Sequence, residues 1–249
     1  MTHRIPKTPR AEEPPADLSP LVLLWMLRIL VRLGGHRNII GRHCFQNDEV
    51  ATALGLREET DEDSKYDPRH ILRQLRQMHR QAERRARSFV APAALVENVG
   101  RLRSLVGLSE CECRILEFAV LIHSERLLDD TADSLGSLSL SRCQRALAVL
   151  LDVPETQIRA ALSAQGILAR SGLVSVSAAG SVPLRTKLDL LSESFGDVIT
   201  APNADPLSLL RGTINPPAPA RLKLEDYAWL TSTTSSAGDI CFCRSLVLD

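Results

Sequence analysis

The sequence predicts a mainly α-helical protein: a helical N-terminal part, then a winged-helix-like part in which a helix-turn-helix precedes a small β-wing. Three observations carry this. Apolar residues recur at helical spacing in one segment after another. Of the 249 residues, 44% are hydrophobic but only 4% aromatic, so Leu, Ala, Val and Ile must fill one sizeable core or two small ones. The stretch Leu138 to Ser177 reads as two short helices, a tight turn and a strand.

Residues 1–17 are rich in Pro, Arg and Glu and are expected to be disordered. The helical part spans residues 18–90. Ser19-Pro20 supplies a cap and a first-turn proline for a helix from Leu21 to Leu33, which Gly34-Gly35 stops. This apolar run falls short of the ~20 residues that cross a bilayer, and Arg28 and Arg32 interrupt it, so no membrane span is expected. Asn38 to Cys44 is a connector, Asp48 to Leu56 a short helix ending near Gly55, and Glu58 to Asp63 an acidic, solvated loop.

A helix from about Pro68 to Ser88 follows. Arg69, Arg73, Arg76, Arg80, Arg84 and Arg87 come at steps of three and four. At ~100° per residue they share one narrow stripe, opposite Ile71, Leu75, Met78 and Ala82. Such a stripe is either a solvated face paired with the acidic loop before it or a contact surface for phosphate or an acidic protein, through Arg73, Arg76 and Arg80.

The winged-helix-like part spans residues 91–192. Leu95, Val99, Leu102 and Val106 line one helix; Glu110 to His123 forms the next, with Ser109 and Glu112 spaced as a capping box. Leu127 to Leu135 connects, ended by Gly136. Ala146, Leu147, Leu150 and Leu151 mark the first helix of the helix-turn-helix, while Ile158, Ala161 and Leu162 mark the second, with Pro154 in its first turn. Gly166 ends that helix, Gly172 makes a reverse turn, and Leu173, Val174 and Val176 form the strand. Pro183 to Leu191 leads into a helix or arm ending near Gly196. Residues 193–249 are a Pro-rich linker and tail, with a short helix at Pro206 to Leu210.

Catalytic signatures are not found. No phosphate-binding loop, dinucleotide fingerprint, G-x-S-x-G or H-E-x-x-H occurs. Cys111 and Cys113 sit ~200° apart on a helix and cannot share one ion. His123 suits a helix end rather than a catalytic base. No enzyme, metal or cofactor is expected. The formal net charge is zero, which argues against the whole chain being a polyanion binder. Cysteines without a signal peptide point to the cytoplasm.

The second helix of the helix-turn-helix presents Glu155, Thr156, Gln157, Arg159 and Ser163 outward, with one cation among them. Major-groove readers add several phosphate-contacting Lys or Arg. Protein docking through Gln157 and Arg159 is therefore the first expectation, and a winged-helix DNA-binding transcriptional regulator the alternative.

The strings Val106 to His123, Leu162 to Leu173, Lys187-Leu-Asp-Leu-Leu191 and Leu222-Lys-Leu-Glu-Asp-Tyr227 resemble the N-terminal region of bacterial AAA-family ATPases. The resemblance covers roughly Leu18 to Leu230. It implies a helical and winged-helix-like region that precedes a nucleotide-binding module and recruits a protein partner or substrate. Where the family continues through an acidic helix to a phosphate-binding loop, this chain runs Thr231-Ser-Thr-Thr-Ser-Ser236 to Asp249. One permitted spelling of Thr231 to Ala237, ACG TCG ACG ACA TCG AGC GCA, reads in another frame as Val-Asp-Asp-Ile-Glu-Arg. The expectation is a truncated ATPase whose last ~19 residues are an out-of-frame, unstructured tail.

Overall fold

The computed structural model describes residues 18–56, 66–202 and 204. The expectations for residues 1–17, for the acidic loop and for the segment beyond 204 lie outside the described residues.

The described residues are mainly helical, with one small two-stranded sheet. Helix α1 (Pro20–Leu27) begins with Pro20, whose missing N–H is harmless in a first turn; Ser19 makes no side-chain cap. It passes directly into a π turn over Arg28–Arg32, where the Leu33 N–H donates to the Arg28 carbonyl at 3.1 Å. The predicted run to Leu33 is thus helical, but its last turn is widened. A one-turn helix, α2 (His36–Ile39), begins before the predicted connector and overlaps its first two residues, and a bridge joins Ile40 to Phe45. Asn47 caps α3 (Asp48–Ala53), its side chain accepting from the Val50 N–H at 2.9 Å.

Asp67 caps α4 (Pro68–Arg85), which tightens into a 3-10 turn over Ala86–Ser88. Ile71, Leu75 and Ala82 are buried beneath it, while Met78 is half-buried. Helix α5 (Ala93–Val106) ends at Gly107, whose φ of +79° lies in the left-handed region that favours glycine. The capping box predicted at Ser109 and Glu112 opens α6 (Glu110–Ser124). Then come α7 (Arg126–Asp133), α8 (Leu140–Leu151) and α9 (Glu155–Ala161). Pro154 stands just outside α9 as its cap residue, not inside the first turn.

A one-turn helix, α10 (Ile167–Arg170), begins at Gly166, so that glycine opens an element instead of closing α9. Strand β1 (Val174–Val176) is followed by α11 (Leu184–Lys187) and β2 (Leu188–Leu190). The strands pair antiparallel, Val174 opposite Leu190 and Val176 opposite Leu188, and a bridge ties Leu138, just before α8, to Val182. Helix α12 (Glu193–Thr200) runs past Gly196 and buries Phe195 and Ile199, because the apolar pattern continues beyond the glycine.

Helix α6 is the hub. Ile115, Leu116, Phe118, Ala119, Val120, Leu121 and Ile122 are all buried, which places this helix among neighbours on nearly every side. It packs on α5, α7, α9 and α12, and Trp25 of α1 meets Phe118 edge to face at 5.0 Å between ring centroids. One apolar cluster runs from Val22 to Ala204. Among the described residues, no helix is long and apolar enough to cross a membrane.

Candidate functional site

Two exposed surfaces carry the residues singled out in the sequence, and they belong to different helices. Helix α9 packs on α8 and α6 through Ile158 and Ala161, which leaves Thr156, Gln157, Arg159 and Ala160 exposed. Arg159 is not a free cation. Its Nη2 donates to Glu155 Oε1 at 3.0 Å, and the same carboxylate stands 3.9 Å from Arg145 Nε. Both pairs are solvated and weak, and two guanidinium groups share the one carboxylate, so Glu155 offsets only part of their charge. Beside it a cleft of about 450 Å³ separates the start of α6 from α9 and α10, lined by Cys111, Gln157, Ala160 and Ile167 among others.

Helix α4 packs on α1 and its π turn, and turns Arg69, Arg73, Arg76, Arg80 and Arg84 to solvent, with Arg87 exposed in the 3-10 turn beyond. Among the described residues, none of these guanidinium groups has an ion-pair partner. The acid of this helix, Glu83, is engaged elsewhere: Arg28 Nε and Nη2 each donate to one of its carboxylate oxygens at 2.8 Å. Arg73, Arg76 and Arg80 thus share one surface, whereas Gln157 and Arg159 lie on another helix.

Sequence reasoning missed the junction beneath. Arg28 is only 4% exposed, and its Nη1 also donates to the Leu150 carbonyl at 2.6 Å. Arg114 donates to the Leu151 carbonyl. Two arginines therefore satisfy carbonyls at the C-terminal end of α8, where no further turn of helix does so. His79 Nε2 lies 3.1 Å from Glu83 Oε1, but burial lowers the His79 pKa from its ordinary 6.5, and the contact is a hydrogen bond from a neutral ring rather than an ion pair. The signal that was available is an arginine inside an apolar run.

A cleft of about 380 Å³ opens next to this junction, walled by Leu21, Trp25, Phe89 and Val96 and holding Arg114 and Glu117. Burial pushes the Glu117 carboxyl above its usual range, against the pull of Arg114, and no hydrogen bond or ion pair meets it among the described residues. Val90 at the rim is 73% exposed.

Two buried ionic groups serve the frame. Glu112 accepts from the Ser109 N–H at 2.9 Å and the Ser109 hydroxyl at 2.8 Å, and its other oxygen accepts from the Ile167 N–H at 2.7 Å. Lys187 donates to the carbonyls of Ser177, Ala179 and Gly180 at 2.9, 2.6 and 3.0 Å. His123 Nδ1 lies 2.8 Å from the Ala119 carbonyl, a helix-end role. Cys113 is buried while Cys111 is half-buried, and no group of three or more His, Cys, Asp and Glu able to hold a metal occurs among the described residues. A comparison with protein-family models, with curated proteins and with solved structures finds no match to the chain.

Proposed function

We propose that the chain is a cytoplasmic recruiting region without chemistry of its own, of the kind that precedes the ATP-hydrolysing module in bacterial AAA-family ATPases. In this reading α6, α8 and α9 with the β1–β2 hairpin act as a winged-helix-like unit. The unit docks a protein through Gln157 and Arg159. Support comes from the order of elements and from the bridge between Leu138 and Val182, which ties the hairpin to the segment entering α8. The observation that carries the choice of a protein over DNA is the ion pairing of Arg159 by Glu155. A helix that enters the major groove needs several cations for phosphates and free donors for base edges, whereas α9 carries one arginine, already paired, beside a cleft where Cys111, Ala160 and Ile167 adjoin Glu110, Gln157 and Gln165.

Sequencing the coding DNA beyond codon 230 tests the family assignment. The reading requires a second frame that encodes an acidic helix and a phosphate-binding loop; a region with no such frame overturns it. A photo-reactive residue at Gln157 tests the docking face. Cross-links to duplex DNA that grow with dilution of salt would instead make α9 the reading helix of a transcriptional regulator.

A further inference from the structure

We propose that the outer face of α4 binds the phosphate backbone of a nucleic acid, independently of the docking face on α9. The chain has 30 basic and 30 acidic residues, but α4 does not share that balance: it holds six arginines and one acid. That acid, Glu83, is turned inward and held by Arg28 at 2.8 Å, so no carboxylate of the helix remains to neutralise the stripe.

Geometry favours a linear polyanion. Arg69, Arg73, Arg76, Arg80 and Arg84 recur at roughly 4.5–6 Å along the axis, over about 22 Å, from a rise of ~1.5 Å per residue. A nucleic-acid strand advances about 3.4 Å per phosphate, so a line of this length meets several phosphates in succession. Guanidinium groups bind phosphate oxygens in pairs, which a solvated ammonium does not.

Chemistry disfavours an acidic protein. Protein interfaces depend on aromatic or aliphatic anchors at their centre. Between the arginines the exposed positions of α4 hold His70, Gln77 and Gln81, which add hydrogen-bonding groups and no apolar anchor. The helix is also fixed before any ligand arrives. Asp67 caps its start, Ile71 and Leu75 are buried, and the Arg28–Glu83 pair holds its last turns, so little ordering is left to oppose binding.

The test is fluorescence anisotropy of the full chain with labelled mixed-sequence DNA of about 20 nucleotides, single-stranded and duplex, over a salt series. Wild type is expected to bind with a log–log salt slope of about −3 to −4, since each phosphate contact contributes about 0.9 on a duplex and 0.7 on a single strand. Replacing three cations, as R73Q/R76Q/R80Q, should weaken binding at least ~30-fold near 100 mM salt and flatten the slope by about 2 to 3. Circular dichroism and the melting temperature check that the triple variant is folded. R73K/R76K/R80K, which keeps the charge, serves if it is not, and should hold the slope while losing several-fold in affinity. Q157A/R159A should bind like wild type. No binding at low salt, an unchanged slope in R73Q/R76Q/R80Q, or equally tight binding of a polyglutamate of the same charge overturns the proposal, the last in favour of an acidic protein.

Discussion

Arg28 and Glu83, 55 residues apart in sequence, form a two-pronged ion pair in which each carboxylate oxygen accepts one N–H at 2.8 Å. A third N–H of the same guanidinium holds the Leu150 carbonyl. One side chain therefore joins the π turn after α1, the last turns of α4 and the end of α8. The π turn and the buried charge belong together, because widening the helix at Arg28 accompanies an arginine placed inward among leucines.

Arg28→Met leaves Glu83 without its cation and the Leu150 carbonyl without its donor, while keeping an apolar stem of similar length. The expected cost is about 3 kcal/mol in urea unfolding, in the range for breaking one partner of a buried pair. Glu83→Gln should cost less than this, and the double variant less than the sum of the two, since both lose the same contact. Additive costs would mean that the two groups do not interact.

The same junction sets an acid limit. Hydrogen bonding from Arg28 holds the Glu83 carboxyl below its usual range, and burial holds His79 below its ordinary 6.5. Both groups have folded pKa values lower than unfolded ones, so the stability they contribute is present above the unfolded values and is lost as pH falls through the folded ones. Stability is expected to decline first just below pH 6.5, from His79, and again below the ordinary carboxylate range, from Glu83. His79→Gln should remove the first decline and leave the second; an unaltered profile would exclude His79 as its source.

Glu112 couples the start of α6 to the start of α10. Burial raises its pKa, but hydrogen bonds from Ser109, Ile167 and Leu168 outweigh burial and hold the carboxyl below its usual range. Glu112→Ala removes the capping box and leaves the Ile167 N–H without a partner, at an expected cost of about 2–3 kcal/mol in chemical denaturation. A cost below about 0.5 kcal/mol, the level of an exposed substitution, would show that water replaces the carboxylate at no loss.

Lys187 is 2% exposed and gathers three carbonyl oxygens of the turn between β1 and α11. Lys187→Met keeps the stem and removes all three donors. The expected result is a loss of about 3 kcal/mol and faster amide exchange across residues 174–190, with α6 protected as before. Exchange that quickens equally in α6 would mean that the hairpin and the hub open as one unit.

The helices that rest on local signals were legible: the Ser109–Glu112 box, Gly55 as an end, and the buried faces of α4, α8 and α9 follow from residues within a turn or two, whereas the Asn47 and Asp67 caps and the Gly107 end, equally local, were not among the expectations. What was not legible depends on partners far along the chain. Nothing near Arg28 announces Glu83, and nothing near Lys187 marks it as buried rather than snorkelling into water. Among the residues expected to bind a partner, Arg73, Arg76, Arg80, Gln157 and Arg159 are exposed, a property that helical periodicity carries. The pairing of Arg159 by Glu155 follows from their separation of four residues, while the inward turn of Glu83, which strips the stripe of its acid, does not follow from any spacing.

Glu117 presents the opposite case from Glu83, a half-buried carboxyl with no hydrogen bond or ion pair among the described residues, in the cleft beside Trp25 and Phe89. Burial raises its pKa, so the folded state favours the protonated form more than the unfolded state does. The sign is then reversed: the penalty is absent in acid, grows as pH rises from the unfolded value towards the folded one, and is complete above the folded value. Glu117→Gln removes the charge and keeps the shape. Its melting temperature is expected to exceed that of wild type at pH 7 and to match it near pH 4, where both carry a neutral side chain. A variant that is less stable than wild type at pH 7 would mean that the carboxylate holds a cation there, and Arg114, which lines the same cleft, would be the first group to replace in the matching cycle.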